Sequence, residues 1–306
     1  MKVLVTGVGG QLGYDVMNEL YRRGHEGIGI DIVKRAELRL FDSSAPIANM
    51  PYVQMDITNQ TAVDNVFDNI QPDAVVHCAA WTAVDAAEEE ENREKVYAIN
   101  VDGTKYITVA CKRHNCKMIY ISTDYVFDGQ GEEPWEPDCK EYAPLCVYGK
   151  SKLEGELAVS NILEKFFIVR IAWVFGVNGN NFVKTMLNLG KKYDTLRVVR
   201  DQIGTPTYTY DLARLLVDML ETEKYGYYHA TNEGEYISWY DFACEIFKQA
   251  GYTTKVIPVT TEEYGASKAV RPKNSRLEKE CLQRFGFSPL NRWDVALKDY
   301  LRIIQK

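Results

Sequence analysis

Val3-Leu4-Val5-Thr6-Gly7-Val8-Gly9-Gly10-Gln11-Leu12-Gly13 is a short apolar strand run, a cluster of glycines and the start of an amphipathic helix. A strand, a glycine turn and a helix in that order set a helix N-terminus, with its unpaired N–H groups, just beyond a strand's carboxyl end. Such a terminus favours an anion. Gly7 permits the tight turn, Gly10 lets backbone amides approach a pyrophosphate, and Gly13 allows close packing of helix on strand. The spacing Gly7-x-x-Gly10-x-x-Gly13 departs from the commoner G-x-G-x-x-G, and a glycine triplet alone also suits a plain structural turn. Its position gives it weight: it follows the first strand, and Ile28-Gly29-Ile30-Asp31 closes a second strand on an acid about two dozen residues downstream. The combination points to dinucleotide binding.

Asp31 is suited to accept hydrogen bonds from an adenosine ribose and to repel a 2'-phosphate, which favours NADH. It also suits an ordinary strand-end turn, and Lys34 and Arg35 lie just beyond it, placed to neutralise such a phosphate. NADH and NADPH therefore both stay open.

Outward from this unit, apolar runs alternate with helical patterns, which predicts an α/β fold: a Rossmann-type doubly wound parallel sheet covered on both faces. Strands are predicted at 2 to 6, 27 to 31, 52 to 55, 74 to 78, 117 to 122, 166 to 172 and 226 to 230. Asp56 and Ile57 end the third strand within reach of an adenine. Ala79 and Ala80 follow the fourth, where small residues let a cofactor backbone pass. His77 reads as a core histidine, because alternation points it away from the carboxyl end. After residue 172 the rhythm breaks into glycine- and asparagine-rich loops and short aromatic-rich elements. The expected division is a dinucleotide-binding domain at 1 to 172 plus 209 to 231, and a smaller mixed α/β substrate lobe at 173 to 208 plus 232 to 306. There are no internal repeats, low-complexity tracts or long linkers.

A second motif carries proton chemistry. Tyr148 and Lys152 stand four residues apart after the strand ending in Ser122-Thr123-Asp124. On a helix they share one face, where an ammonium lowers the pKa of a phenol that then serves as a general acid. Tyr264 and Lys268 repeat the spacing, so the spacing alone decides nothing. Thr123, delivered by its strand to the carboxyl edge of the sheet where doubly wound folds place ligands, favours the first pair.

The chain has 306 residues, nearly half of them apolar, and a formal net charge of −7. That balance speaks against a nucleic-acid surface and offers no basic stripe for a membrane. Neither a stretch of about twenty apolar residues nor a signal-peptide h-region is evident, and seven unpaired-looking cysteines suit reduced thiols, so a cytoplasmic location is expected. Cys111, His114 and Cys116 cluster, but their place at a helix end speaks against zinc.

These residues together resemble the extended short-chain dehydrogenases and reductases, and within them the reductases of 4-keto nucleotide sugars. The resemblance spans essentially the whole chain. It rests on Thr6-Gly7 with Gly10-Gln11-Leu12-Gly13, on 79 to 85, Asn100, 122 to 129 and 148 to 152, and further on 170 to 176, 181 to 183, 201 to 207 and 271 to 277. It implies hydride transfer from NADPH or NADH to the C4 keto carbon of a dTDP-linked 6-deoxyhexose, giving dTDP-L-rhamnose. Tyr148 would protonate the developing alkoxide, Lys152 would lower the tyrosine pKa and bond the nicotinamide ribose, and Thr123 would orient the carbonyl.

The cofactor residues it implies are Gly7, Gly10, Gln11, Leu12, Asp31, Asp56, Ile57, Ala79, Ala80, Thr82, Asn100, Tyr148 and Lys152. Substrate contacts are implied for Thr82, Val84, Thr123, Asp124, Tyr125, Trp173 and Arg271, the last with Arg276 as a diphosphate clamp. No metal site is expected, since Asp15 and Tyr210 stand where some relatives bridge subunits through metal-binding glutamates. A homodimer stays open. The stretch between Asp31 and Asp56 is longer than the resemblance leads one to expect, and Ala86-Ala87 replaces a usual lysine-containing stretch. Two other functions share the fold. One is a nucleotide-sugar epimerase or dehydratase, although Asp124-Tyr125 supplies one acid where a dehydratase wants two. The other is a non-catalytic NADP-binding regulatory subunit of methionine adenosyltransferase, against which intact Thr123, Tyr148 and Lys152 argue.

Overall fold

The computed structural model describes residues 1–305. Seven parallel strands form the central sheet. They are β1 (Lys2–Thr6), β2 (Glu26–Asp31), β3 (Tyr52–Gln54), β4 (Ala74–His77), β5 (Lys117–Thr123), β6 (Phe166–Ile171) and the edge strand Gly226–His229. Their spatial order is β3, β2, β1, β4, β5, β6 and the edge strand. The chain therefore winds outward in one direction through β3, then returns to the other side of β1 with β4. The crevice where that direction reverses, at the carboxyl ends of β1 and β4, is where such sheets take a ligand.

Alternation along the strands feeds two cores. Val3, Val5, Val76 and Phe167 pack beneath helices α1 (Gln11–Arg22) and α7 (Thr209–Leu220). Leu4, Val75, Met118 and Ile168 point the opposite way, toward α2 (Gln60–Ile70), α4 (Thr104–Arg113) and α5 (Val147–Ile162). The two-residue period of a strand buried on both faces makes this division unavoidable. Helix α3 (Glu90–Tyr97) runs into α4 through a π-helical stretch, Ala98–Gly103.

Beyond β6 the elements are short. Val174–Phe175 pairs in parallel with Thr207–Tyr208, Ile203–Gly204 pairs antiparallel with Ile237–Ser238, and Thr195–Val199 pairs in parallel with Lys255–Val259. Helices α6 (Phe182–Gly190), α8 (Trp239–Ala250) and the last helix, Trp293–Ile304, cover them. One apolar cluster runs from Val3 and Val5 through α7 into Phe242, Trp293 and Leu297. The C-terminal elements thus share a core with one face of the sheet. Among the described residues, no helix is long and apolar enough to cross a membrane.

Candidate active site

A cleft of about 750 Å³ opens along the carboxyl edge of the sheet. One end is built by the turn after β1. Gly7 has φ +71°, and a Cβ there would lie 2.8 Å from the backbone of Ala79, which follows β4. The two loops at the reversal point therefore touch backbone to backbone, which only glycine permits. A Cβ on Gly13 would run into the Gly7 carbonyl, so α1 presses directly on the turn. The Gly9 N–H donates to Asp31 Oδ2 at 2.9 Å, and the Ile32 N–H to Asp31 Oδ1 at 2.8 Å. Gly7, Gly10, Gln11, Leu12 and Asp31 all line the cleft here, with Asp56 and Ile57 beyond them. Arg39 joins that wall, whereas Arg35 is turned onto the carbonyls of Met50 and Ala48.

The other end carries Thr123, Tyr148 and Lys152. Thr123 is the last residue of β5, and the chain then turns so that the Tyr125 N–H donates back to Thr123 Oγ1 at 3.3 Å. Helix α5 starts against that turn, close enough that a Cβ on Gly149 would strike the Tyr125 carbonyl. Tyr148 thereby meets Tyr125 edge to face, with ring centroids 5.5 Å apart. One turn later the Lys152 ammonium sits 4.1 Å over the Tyr120 ring. Ala79, Ala80, Thr82 and Val84 line the wall opposite, with Asp124, Tyr125 and Trp173. Trp173 stands at φ +51°, rare for so bulky a residue, and stacks on Trp239 at 3.9 Å between centroids. Strain of this kind persists only where surrounding packing imposes it.

The electrostatics differ from the expectation for Tyr148. Its phenol is raised above the usual tyrosine value by burial, with the Thr123 hydroxyl pulling it down and Asp124 pushing it up. Lys152 does not lower it in this structure. Burial instead brings Lys152 itself down to about 7, opposed by Glu156 one turn further on and by Cys78. Removing a charge from water costs more here than the neighbouring carboxylate returns. Asp124 is raised to about 6 by burial, against hydrogen bonds from Ser275 and Thr123. His77 is a satisfied core residue, as read from the sequence. Its ring bonds Thr6 Oγ1 at 2.8 Å and Thr104 Oγ1 at 3.2 Å, and burial lowers it to about 3.

Two expected contacts lie outside the cleft wall. Asn100, in the π-helical stretch, accepts from the Trp81 N–H at 2.8 Å and donates to Ser151 Oγ at 2.9 Å. It fastens the loop after β4 to α5: both amide hydrogens are used, on the Trp81 carbonyl and Ser151 Oγ, while the oxygen keeps one lone pair. Arg271 grips Asp85 with its two terminal guanidinium nitrogens, at 3.0 and 2.7 Å. Arg276 turns to Asn274. Asp15 is buried against Thr209, whose hydroxyl it accepts at 2.5 Å, while Tyr210 is half exposed. His114 faces Asp68 rather than Cys111 or Cys116. Among the described residues, no group of three or more His, Cys, Asp or Glu is placed to hold a metal.

The structure adds residues that the sequence reading passed over. Glu156 continues the face of Tyr148 and Lys152 at the same four-residue step, a signal visible in the sequence. It is fully buried and holds Arg170 through two hydrogen bonds of 2.9 and 2.8 Å. Ser122 lines the cleft, and its buried hydroxyl has no partner. Ser275 bonds Asp124 across 151 residues of sequence, a contact that no local pattern announces.

Residues 1–306 match the family described as RmlD substrate binding domain. The chain belongs to that family. Within it, the chain is 40% identical to a dTDP-4-dehydrorhamnose reductase of Aggregatibacter actinomycetemcomitans, over 97% of each chain. The crystal structure of a dTDP-4-dehydrorhamnose reductase from Clostridium acetobutylicum superposes with a TM-score of 0.89 at 42% identity, covering 100% of both chains. That from Bacillus anthracis, in complex with NADP, superposes with a TM-score of 0.86 at 38% identity, again over 100% of both. In this chain the glycine turn and Thr123, Tyr148 and Lys152 line one groove.

Proposed function

We propose that this protein is a dTDP-4-dehydrorhamnose reductase, using NADPH or NADH to reduce the C4 keto group of dTDP-4-dehydro-6-deoxy-L-mannose to dTDP-L-rhamnose. The observation that carries this is the joining, in one groove, of a glycine turn at a helix N-terminus with a threonine, a tyrosine and a lysine at the sheet's carboxyl edge. The cofactor fits the residues present. Gly7 and Gly13 leave the turn without side chains, the first turn of α1 offers its amides, and the unpartnered Ser122 hydroxyl waits further along the cleft.

A reduced nicotinamide supplies the hydride when bound. The protein's own part is to place and protonate the oxygen. Tyr148 Oη donates its proton to the C4 oxygen as that oxygen becomes an alkoxide. Burial keeps the phenol protonated until then, and an alkoxide is basic enough to take the proton from it. Lys152, brought to about 7 by burial, lines the cleft one turn beyond Tyr148, placed to bond the nicotinamide ribose. Thr123, at the end of β5, lines the cleft beside Tyr148, where it would orient the carbonyl oxygen. Thr82, Val84, Asp124, Tyr125 and Trp173 form the sugar-facing wall, and Asp31 with Arg39 faces the adenosine end.

The net charge of −7 and the seven free cysteines support a cytoplasmic enzyme without a nucleic-acid partner. The decisive assay follows nicotinamide absorbance with purified protein. NADPH or NADH should be oxidised only when the 4-keto nucleotide sugar is added, and dTDP-rhamnose should accumulate in equal amount. Oxidation with a different keto sugar, and none with this one, would reassign the substrate.

A further inference from the structure

One buried polar chain links the C-terminal lobe to the reacting end of the cleft. Ser275, 2% exposed, donates its hydroxyl to Asp124 Oδ2 at 2.5 Å. The other carboxylate oxygen, Oδ1, accepts from Thr123 Oγ1 at 3.0 Å. An ionised carboxylate can only accept, so both hydroxyls must aim their protons at Asp124. Thr123 has one proton and has committed it there. Its oxygen also accepts the Tyr125 N–H, which fixes the hydroxyl at the end of β5.

Ser275 is itself held from two sides. Its N–H donates to the Ile203 carbonyl at 2.8 Å, and the Ile203 N–H donates to the Lys273 carbonyl at 2.8 Å. The Asn274 N–H donates to the Gly129 carbonyl at 2.8 Å, and its side-chain amide donates to the carbonyls of Gln130 and Glu133 at 3.1 and 2.8 Å. A Cβ at Gly204 would lie 3.0 Å from Ser275 Cβ. The serine is therefore stapled between the loop after β5 and the strand Ile203–Gly204, with no room to swing away.

We propose that Ser275 is a positioning residue for the reduction: from the C-terminal lobe it clamps the Asp124 carboxylate, and through it sets the direction of the Thr123 hydroxyl beside Tyr148. The inference rests on the reductase reading and deepens it. It also explains why a lobe distant in sequence reaches back to the sheet edge. The titratable groups facing Asp124 are the phenols of Tyr125, on the same turn, and Tyr148, on α5, with the Arg271 guanidinium acting on Tyr125. Loss of the Ser275 donor removes one of the two hydroxyls that favour the ionised carboxylate, so Asp124 must then hold its proton to higher pH.

The test compares the wild type, Ser275→Ala, Asp124→Asn and the double variant. Ser275→Ala should lower kcat about tenfold, leave KM for the keto sugar and the Kd for NADPH within about twofold, and move the acid limb of the kcat profile to higher pH. In the Asp124→Asn background the same change should cost nothing further, because the carboxylate it clamps is gone. An unmoved acid limb with unchanged kcat, or losses that multiply in the double variant, would overturn the proposal. If Ser275→Ala does not fold, Ser275→Cys keeps a weak donor of similar size and should fall between the wild type and Asp124→Asn; wild-type behaviour in it would count against the clamp. Carbon-13 NMR titration of the Asp124 carboxylate, with and without the Ser275 hydroxyl, gives a readout independent of turnover. Absence of turnover in the wild type would remove the reductase reading, while an upward shift in that titration would still establish the clamp and an unchanged one would exclude it.

Discussion

The same spacing, Tyr-x-x-x-Lys, occurs twice in this chain and makes two unlike things. Tyr148 and Lys152 lie on the 16-residue helix α5, one turn apart, both directed into the cleft. Tyr264 ends a helix of 4 residues, Thr261–Tyr264, which Gly265 closes at φ +62°. Lys268 therefore lies past the helix end, where it pairs with Glu89, and Tyr264 is about half exposed. A four-residue step aligns two side chains only while the helix continues, and a glycine in the left-handed conformation stops it. The difference lies in what surrounds each pair. The first is pressed against the turn after β5 through Gly149, and the second hangs from the rim of the C-terminal lobe.

Substitutions can break that contrast. The largest effect is expected at the phenols: Tyr148→Phe should lower kcat by about a thousandfold with NADPH binding retained, while Tyr264→Phe should stay within about twofold. Steady-state kinetics and cofactor fluorescence titration would check both. Equal losses at the two tyrosines would erase the distinction. The lysines come next. Lys152→Met should reduce kcat/KM about a hundredfold, whereas Lys268→Met, which removes an exposed ion pair, should cost little in activity or stability.

The smallest and subtlest difference is in the pH dependence of stability. Lys152 has a folded-state pKa of about 7, below the ordinary lysine value, so its burial opposes folding. That cost is full below about pH 7, shrinks as the folded-state group loses its proton, and vanishes above the unfolded-state pKa near 10. Lys152→Met should therefore stabilise the protein most at or below pH 7, and the two denaturation curves should converge as pH approaches 10. Lys268→Met should show no such convergence. Urea unfolding at a series of pH values would decide it.

Much of the cleft was legible because its parts are local. Gly7, Gly10 and Gly13 announce a strand, a turn and a helix within a dozen residues. Asp31 ends the next strand, and Thr123 ends β5 where apolar alternation says it should. Strand alternation also kept His77 out of the chemistry. What was not legible is any contact whose partner is far away in sequence. Nothing local shows that Arg271 pairs with Asp85, or that Asn100 fastens Trp81 to Ser151. Lys152 was expected to act on Tyr148 at its usual charge. Burial shifted the lysine instead, and burial is a property of the packed molecule.

The sequence by itself determined the order of strands and helices, the right-handed winding that follows from it, and the two chemical ends of the groove, because these depend on hydrophobic period and on turn residues a few positions apart. Only the tertiary structure decided which charged groups are paired, how burial shifts Lys152 and Tyr148, and that Ser275 reaches Asp124. Those outcomes depend on contacts between residues far apart in the chain, and on the loss of water around them once the C-terminal lobe packs against the sheet.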